Sequence, residues 1–397
     1  MKAERIIVLF LFLLFYIGEN LYAKFKMPID YGGYLRILIV FALVIYLHSI
    51  RINNFLHNNN MLLALVLVLI RLITIGVDGV VTLFTLFCGP LVICAIINKV
   101  FKGGKVLTQK KIVNLLFVFY VIECIFAITE KIAGIHILGW TDSEGSIVDK
   151  LTNEEGFRSA ALLGHPLQNA LMVSTIMSFI LFSNIRFTVK IGLWILGYFS
   201  ILCFNTRSSM VGNAIVLTFY MAYYAFHGGK NGSRWKTISL GFILIVGIIL
   251  LLTKTSLGGR LATMGLVDDS SAQVRIDVWR IFDYYDLNSF LWGNHSEMAE
   301  YIVDSIGLVA TENFWIDWML HFGLAEILIY LFMVKIVVSR LYCGYDRINI
   351  IVTAGTFWLI SSTNNSLSFT YVPMALYLLC IIVFNPAYFF RFPKILK

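Results

Sequence analysis

Residues 189–226 read VKIGLWILGYFSILCFNTRSSMVGNAIVLTFYMAYYAF. Two apolar runs flank a turn of about four residues, Asn205-Thr206-Arg207-Ser208. Each run approaches the roughly 20 residues that a helix needs to cross the hydrocarbon core of a bilayer. So short a connection makes the two helices antiparallel neighbours. The unit is therefore a membrane hairpin, and its tip carries an arginine among the hydroxyls of Thr206, Ser208 and Ser209.

Working outward, the same pattern repeats along the chain. About twelve apolar stretches are predicted to span or nearly span a bilayer, with cores at 6–22, 34–50, 61–77, 79–98, 112–129, 167–183, 189–204, 209–226, 237–253, 314–338, 348–362 and 369–385. A composition that is 59% hydrophobic and 14% charged excludes an ordinary soluble domain. The expected fold class is an all-α polytopic membrane protein. Lys2 and Arg5 before the first apolar run imitate a signal peptide, but no small-x-small cleavage site follows, so the run is expected to remain as a helix. The chain divides into helices over 1–129, a first long loop at 130–166, helices over 167–253, a larger loop at 254–313 and helices over 314–397.

The basic residues orient this array. With the N-terminus in the cytosol, Lys2, Arg5, Arg51, Lys99, Lys102, Lys105, Lys110, Lys111, Arg186, Lys190, Lys230, Arg234, Lys236, Lys335, Arg340, Arg347, Arg391, Lys394 and Lys397 face inward, most of the 31 basic residues. This is the positive-inside bias of short loops, and it places both long loops outside. The net charge of +8 is then largely a topological signal and does not indicate nucleic acid as a partner. Cys88, Cys94, Cys124, Cys203, Cys343 and Cys380 lie in or beside predicted spans and imply no disulfide framework. No CxxC or His/Cys cluster with zinc spacing, no Walker-type loop and no GxSxG elbow occurs, so neither a metal site nor a cofactor is expected.

Candidate site residues gather on the outer side. Arg158 lies in Gly156-Phe157-Arg158-Ser159-Ala160-Ala161-Leu162-Leu163-Gly164-His165-Pro166, either as an anion ligand or as a snorkelling arginine at a helix start. Arg207 is read as a ligand for phosphate oxygens or as part of a helix cap. In the larger loop, Val274, Val278, Ile281 and Tyr285 recur at three- and four-residue steps, predicting an amphipathic helix on or near the membrane surface. Arg275 and Arg280 occupy its other positions, open to pairing with Asp277 and Asp283 or to ligand binding. Arg71 and Glu123, inside spans, are expected to pair with each other or to support the site. Asp317 and His321 share a helix face. Glu312, beside Asn313 at the start of the 314–338 span, is placed to act as a general base toward a hydroxyl or as an acid favoured by the helix dipole.

Taken in order, Gly-Phe-Arg158 with Gly-His165-Pro166, Asn-Thr-Arg207-Ser-Ser, Val-Arg275-Ile-Asp-Val-Trp-Arg280, Phe290-Leu-Trp-Gly293 and Glu312-Asn313 with Gly323 resemble the O-antigen ligase and O-antigen or capsule polymerase superfamily. The resemblance covers roughly 120–340. It implies a GT-C-like, metal-independent glycosyltransferase of the bacterial inner membrane, with an active site on the extracytoplasmic side. The implied partners are a glycan donor and acceptor on undecaprenyl diphosphate and membrane lipid, with a flippase and a chain-length regulator alongside. Arg158, Arg207 and Arg275 match the family's arginine positions, and Arg280 matches more loosely. His165 and Asn313 fall in the same motifs and are expected to touch substrate. The ligases commonly carry a histidine where this chain has Glu312, which favours a polymerase over a ligase. A lipid-linked glycan flippase is the alternative from another class. Clustering of the arginines on one face, rather than along a path through the membrane, speaks for an enzyme.

Overall fold

The computed structural model describes residues 2–25, 30–49, 59–138, 157–227, 239, 241, 243, 246–247, 274, 276–308 and 311–389. Among the described residues the chain is helical, without a strand. Its helices are α1 (Lys2–Tyr16), α2 (Glu19–Lys24), α3 (Tyr31–Ser49), α4 (Asn59–Thr74), α5 (Val77–Lys102, with a π-turn over Phe84–Cys88) and α6 (Val106–Ala133). The central group is α7 (Pro166–Phe182), α8 (Phe187–Phe204) and α9 (Arg207–His227). A 3-10 helix (Val278–Tyr284), α10 (Leu287–Trp292) and α11 (Ser296–Ser305) precede α12 (Phe314–Leu341). Then follow α13 (Arg347–Ser361), α14 (Ser366–Phe369), α15 (Val372–Val383) and α16 (Pro386–Phe389).

Among the described residues five helices, α5, α6, α8, α9 and α12, are long and apolar enough to cross a membrane, and shorter apolar helices lie in α3, α4, α7, α13 and α15. The predicted span at 237–253 falls largely outside the described residues. Large apolar side chains stay exposed on the outer helices: Ile73 on α4, Ile215 on α9 and Leu359 on α13 are 83%, 63% and 71% exposed. Exposure on that scale suits a lipid surround and not water. By contrast α15 is buried at every position, and α7 is buried at all but two. These two helices form the middle of the bundle, with α13 packed along α7 and α5 along α15.

Local chemistry sets the helix ends. α6 stops at Gly134, which takes the left-handed conformation (φ 66°) that glycine adopts without strain. α8 stops at Asn205, left-handed at φ 52°, and α7 starts with Pro166 in its first turn, where no N–H is needed.

The larger loop builds a second, smaller core. Val278 and Ile281 are buried against Ala299 and Ile302 of α11 and Ile316 and Leu320 of α12, with Val274, Phe282 and Tyr285 packed beside them. The predicted amphipathic stripe exists, but it is a 3-10 helix and other helices of the protein cover its apolar side. Its opposite side leaves Trp279 exposed.

Candidate functional site

The segment 157–164 is the decisive local structure. It is non-helical yet largely buried, so its backbone polar groups must find partners inside the protein. Carboxylates of α6 take the N–H groups of three successive residues. Glu130 Oε2 accepts the N–H groups of Ala160 (2.8 Å) and Ala161 (2.9 Å), and its Oε1 accepts that of Ile137 (3.1 Å). Glu123 Oε2 accepts from Leu162 N at 3.3 Å. Ser159 N donates to Cys203 O (3.0 Å) and Ser159 Oγ to Ala127 O (2.7 Å). Lys131 Nζ donates to Phe157 O at 2.7 Å, and the Phe157 ring stacks on His136 with centroids 4.6 Å apart. At Gly18, between α1 and α2, a Cβ would lie 2.1 Å from Leu162 O, so only glycine lets the segment pass.

This packing delivers Arg158 to the α8–α9 turn. Its Nε donates to Phe204 O at 3.3 Å, one of the terminal carbonyls of α8. Three residues on, Arg207 is the first residue of α9. Both guanidinium-bearing side chains are half-buried. The Thr206 hydroxyl beside them is buried and has no hydrogen-bond partner among the described residues. His165 is the N-cap residue of α7, and burial together with the Arg158 charge lowers its imidazole to about 4. It is therefore neutral near pH 7, and one ring nitrogen donates while the other accepts.

Arg207 gains nothing from the dipole of its own helix. The N-terminus of a helix carries partial positive charge and disfavours a cation. A guanidinium fixed there, with Arg158 brought to the same turn, builds positive potential where helix N–H groups already point outward, the arrangement that holds phosphate oxygens.

The start of α12 lies at the same end of the bundle. A Cβ on Gly212, in the second turn of α9, would lie 3.4 Å from Ile360 in the last turn of α13. Just beyond that turn, Asn364 O accepts the Phe314 N–H of α12 at 3.1 Å. Asn313 is the N-cap of α12, its Oδ1 accepting from Trp315 N at 2.9 Å. Glu312 precedes the cap and is half-buried, so the capping role belongs to Asn313 and not to Glu312. Thr311 Oγ1 donates to Asp317 Oδ1 at 2.5 Å, and His321 Nε2 stands 4.0 Å from the same oxygen. Trp315 donates to Ser362 Oγ (2.9 Å) and stacks on Trp358, so its indole is used structurally.

Arg280 is exposed on the 3-10 helix, and among the described residues no ion pair joins it to Asp277 or Asp283; with Arg280 and Asp283 both solvated, such a pair would gain little. Arg275 lies outside the described residues.

The expected pairing of Arg71 with Glu123 does not form. Arg71 Nη1 is instead 3.7 Å from Glu326 Oε2, Nη1 also donates to Trp292 O (3.2 Å), and Nη2 donates to His321 O (2.7 Å). The cause is the break in α12 at Gly323 (φ 68°), where the segment around Gly293 (φ 76°) crosses so closely that a Cβ on Gly323 would lie 2.4 Å from Gly293 N. Asn294 N donates to Leu320 O at 2.9 Å across the same crossing. Arg71 caps one carbonyl at the end of α10 and one at the break in α12, where neither helix supplies its own partner.

Sequence reasoning passed over Glu130. A signal was present: an acid in the last turn of α6 sits at the negative end of the helix dipole, where a carboxylate is disfavoured unless something else binds it. In comparisons with known proteins, no family model and no curated sequence matches the chain.

Proposed function

We propose that this protein is a polysaccharide polymerase that joins oligosaccharide repeat units carried on undecaprenyl diphosphate at the outer face of the bacterial cytoplasmic membrane. In this reading the helices complete a GT-C-like array of about twelve spans, and the end bearing Arg158 and Arg207 faces outward. The observation that carries the proposal is the meeting of Arg158 with the α8–α9 turn, which sets its guanidinium beside the helix start that holds Arg207.

The donor's diphosphate binds at Arg158 and Arg207, with Arg275 and Arg280 reaching it from the larger loop. As the bond between the anomeric carbon and the diphosphate oxygen breaks, negative charge grows on that oxygen, and fixed guanidinium groups stabilise it. The acceptor's hydroxyl oxygen forms the new bond to the anomeric carbon, and Glu312 takes its proton. Neutral His165 and the Asn313 amide orient sugar hydroxyls or phosphate oxygens.

The test uses a strain lacking the gene, complemented with variants. Arg207→Ala is expected to abolish polymer while single repeat units accumulate on the carrier lipid, with the protein inserted at normal abundance. Arg207→Lys restores only part of the polymer, because an ammonium lacks the planar two-pronged fork. Wild-type polymer from the alanine variant would overturn the assignment.

A further inference from the structure

A second site lies at the other end of the bundle. α12 carries Glu312 just before its start and Arg340 near its end. Beyond the break at Gly323, the part of α12 from Leu324 to Arg340 alone rises roughly 25 Å at about 1.5 Å per residue. There a cavity of about 800 Å³ opens between α3, α4, α5, α12 and the residues after α15. That volume falls within the roughly 300–1,000 Å³ of small-molecule sites. Its wall is apolar over most of its length, formed by Leu65, Val68, Phe84, Leu91 and Val337. Leu65 is 52% exposed, so the trough communicates with the surroundings along the face of α4, the lipid-facing side of the molecule.

The polarity of the trough is one-sided. Lys102 and Arg340, both exposed, stand where α5 and α12 end, and no carboxylate lines the cavity among the described residues. Two cations at the membrane-surface end of a hydrocarbon-lined trough match an amphiphile in charge and in shape. The phosphate meets the cations at interface depth, where long basic side chains naturally reach. The hydrocarbon chain lies along the apolar wall.

We propose that this trough is a binding site for an anionic phospholipid, its phosphate on Lys102 and Arg340 and an acyl chain between α4 and α5. The site is remote from the arginine cluster and does not depend on the polymerase reading. A lipid seated here fills the space between α3 and α4, which pack on α5 rather than broadly on each other.

The experiment uses the full chain purified in detergent, with retained lipid counted by native mass spectrometry. The probes are phosphatidylglycerol and phosphatidylcholine with identical acyl chains, and glycerophosphoglycerol without chains. Wild type is expected to retain phosphatidylglycerol over phosphatidylcholine by about thirtyfold, since each basic residue near the surface is worth roughly a fivefold preference. The tail-less probe should not be retained. The double variant Lys102→Gln/Arg340→Gln changes only exposed side chains and should fold normally, yet bind both lipids alike. Ala95→Phe, which fills the trough, should lose both lipids while leaving the cations in place. Equal retention of the two lipids by wild type, or a preference that survives the double variant, overturns the headgroup assignment. Retention of the tail-less probe, or unchanged lipid binding by a folded Ala95→Phe protein, overturns the trough.

Discussion

Two buried crossings of non-helical backbone hold the proposed outer end of this bundle together, and they use opposite charges. At 157–164 the crossing segment offers N–H groups, and carboxylates answer: Glu130 takes two of them, with Ile137 N as a third donor, and Glu123 takes one. At the Gly293–Gly323 crossing the end of α10 and the broken α12 each offer a carbonyl, and a guanidinium answers, with Arg71 taking Trp292 O and His321 O. The contrast separates two kinds of arginine. Arg71 is consumed by the fold: 3% exposed, ringed by carbonyls and Glu326, and stacked 5.1 Å over Phe322. Arg158 and Arg207 are half-buried at the α8–α9 turn, beside a segment whose backbone N–H groups carboxylates of α6 hold in place.

Of the two crossings, the one that consumes its cation should be the more fragile under mutation. Gly323→Ala forces a Cβ into Gly293 N at a left-handed φ, and Arg71→Ala strands buried Glu326 and two carbonyls. Losses of about 3–5 kcal/mol are expected for the arginine and more for the glycine, seen as little or no monodisperse protein and a collapsed thermal midpoint. A well-folded Arg71→Ala protein would show that this guanidinium is not structural.

Next comes Glu130. Removing its carboxylate in Glu130→Ala leaves the N–H groups of Ala160, Ala161 and Ile137 without acceptors, a loss on the order of 3 kcal/mol with polymer formation lost as Arg158 drifts. Glu130→Gln keeps one acceptor oxygen and should recover part of both, measured by thermal unfolding and polymer yield side by side. Equal effects of the two substitutions would mean that charge, and not acceptor geometry, holds the segment.

A smaller effect belongs to His165. Its folded value of about 4 lies below the usual imidazole value of 6.5, so the unfolded chain takes up the proton first as pH falls. Stability is therefore unaffected above pH 6.5 and declines between 6.5 and 4. Because the ring is partly exposed, about 1–2 kcal/mol is expected rather than the full value of the shift. His165→Gln should remove that slope in a pH series of unfolding midpoints; an unchanged slope would place the titration elsewhere.

Smallest in stability are the proposed reacting residues. Arg207→Ala and Glu312→Gln should each shift unfolding by less than about 0.5 kcal/mol, since neither fills the core or caps its helix. With saturating donor and acceptor, purified Glu312→Gln should still lose roughly 10²–10⁴-fold in turnover. Near-normal turnover would remove Glu312 as the base, and lost donor binding alone would make it a positioning residue.

The helical membrane fold was legible in the sequence because it is a local property. In lipid each span must bond its own backbone, so length and apolarity of a run nearly suffice to identify it. Placing Arg158, Arg207 and the start of α12 at one end required only counting alternate crossings. The division of labour among the charges was not legible. Arg71 pairs with backbone 221 and 250 residues away, at a helix break that exists because two glycines meet, and its expected partner Glu123 is held by the Leu162 N–H instead. Glu130 and Arg207 each sit at the wrong end of a helix dipole, a local oddity whose meaning comes only from the segment packed against them. A buried charge is assigned by whichever unsatisfied backbone passes beside it, and only the tertiary structure decides which backbone that is.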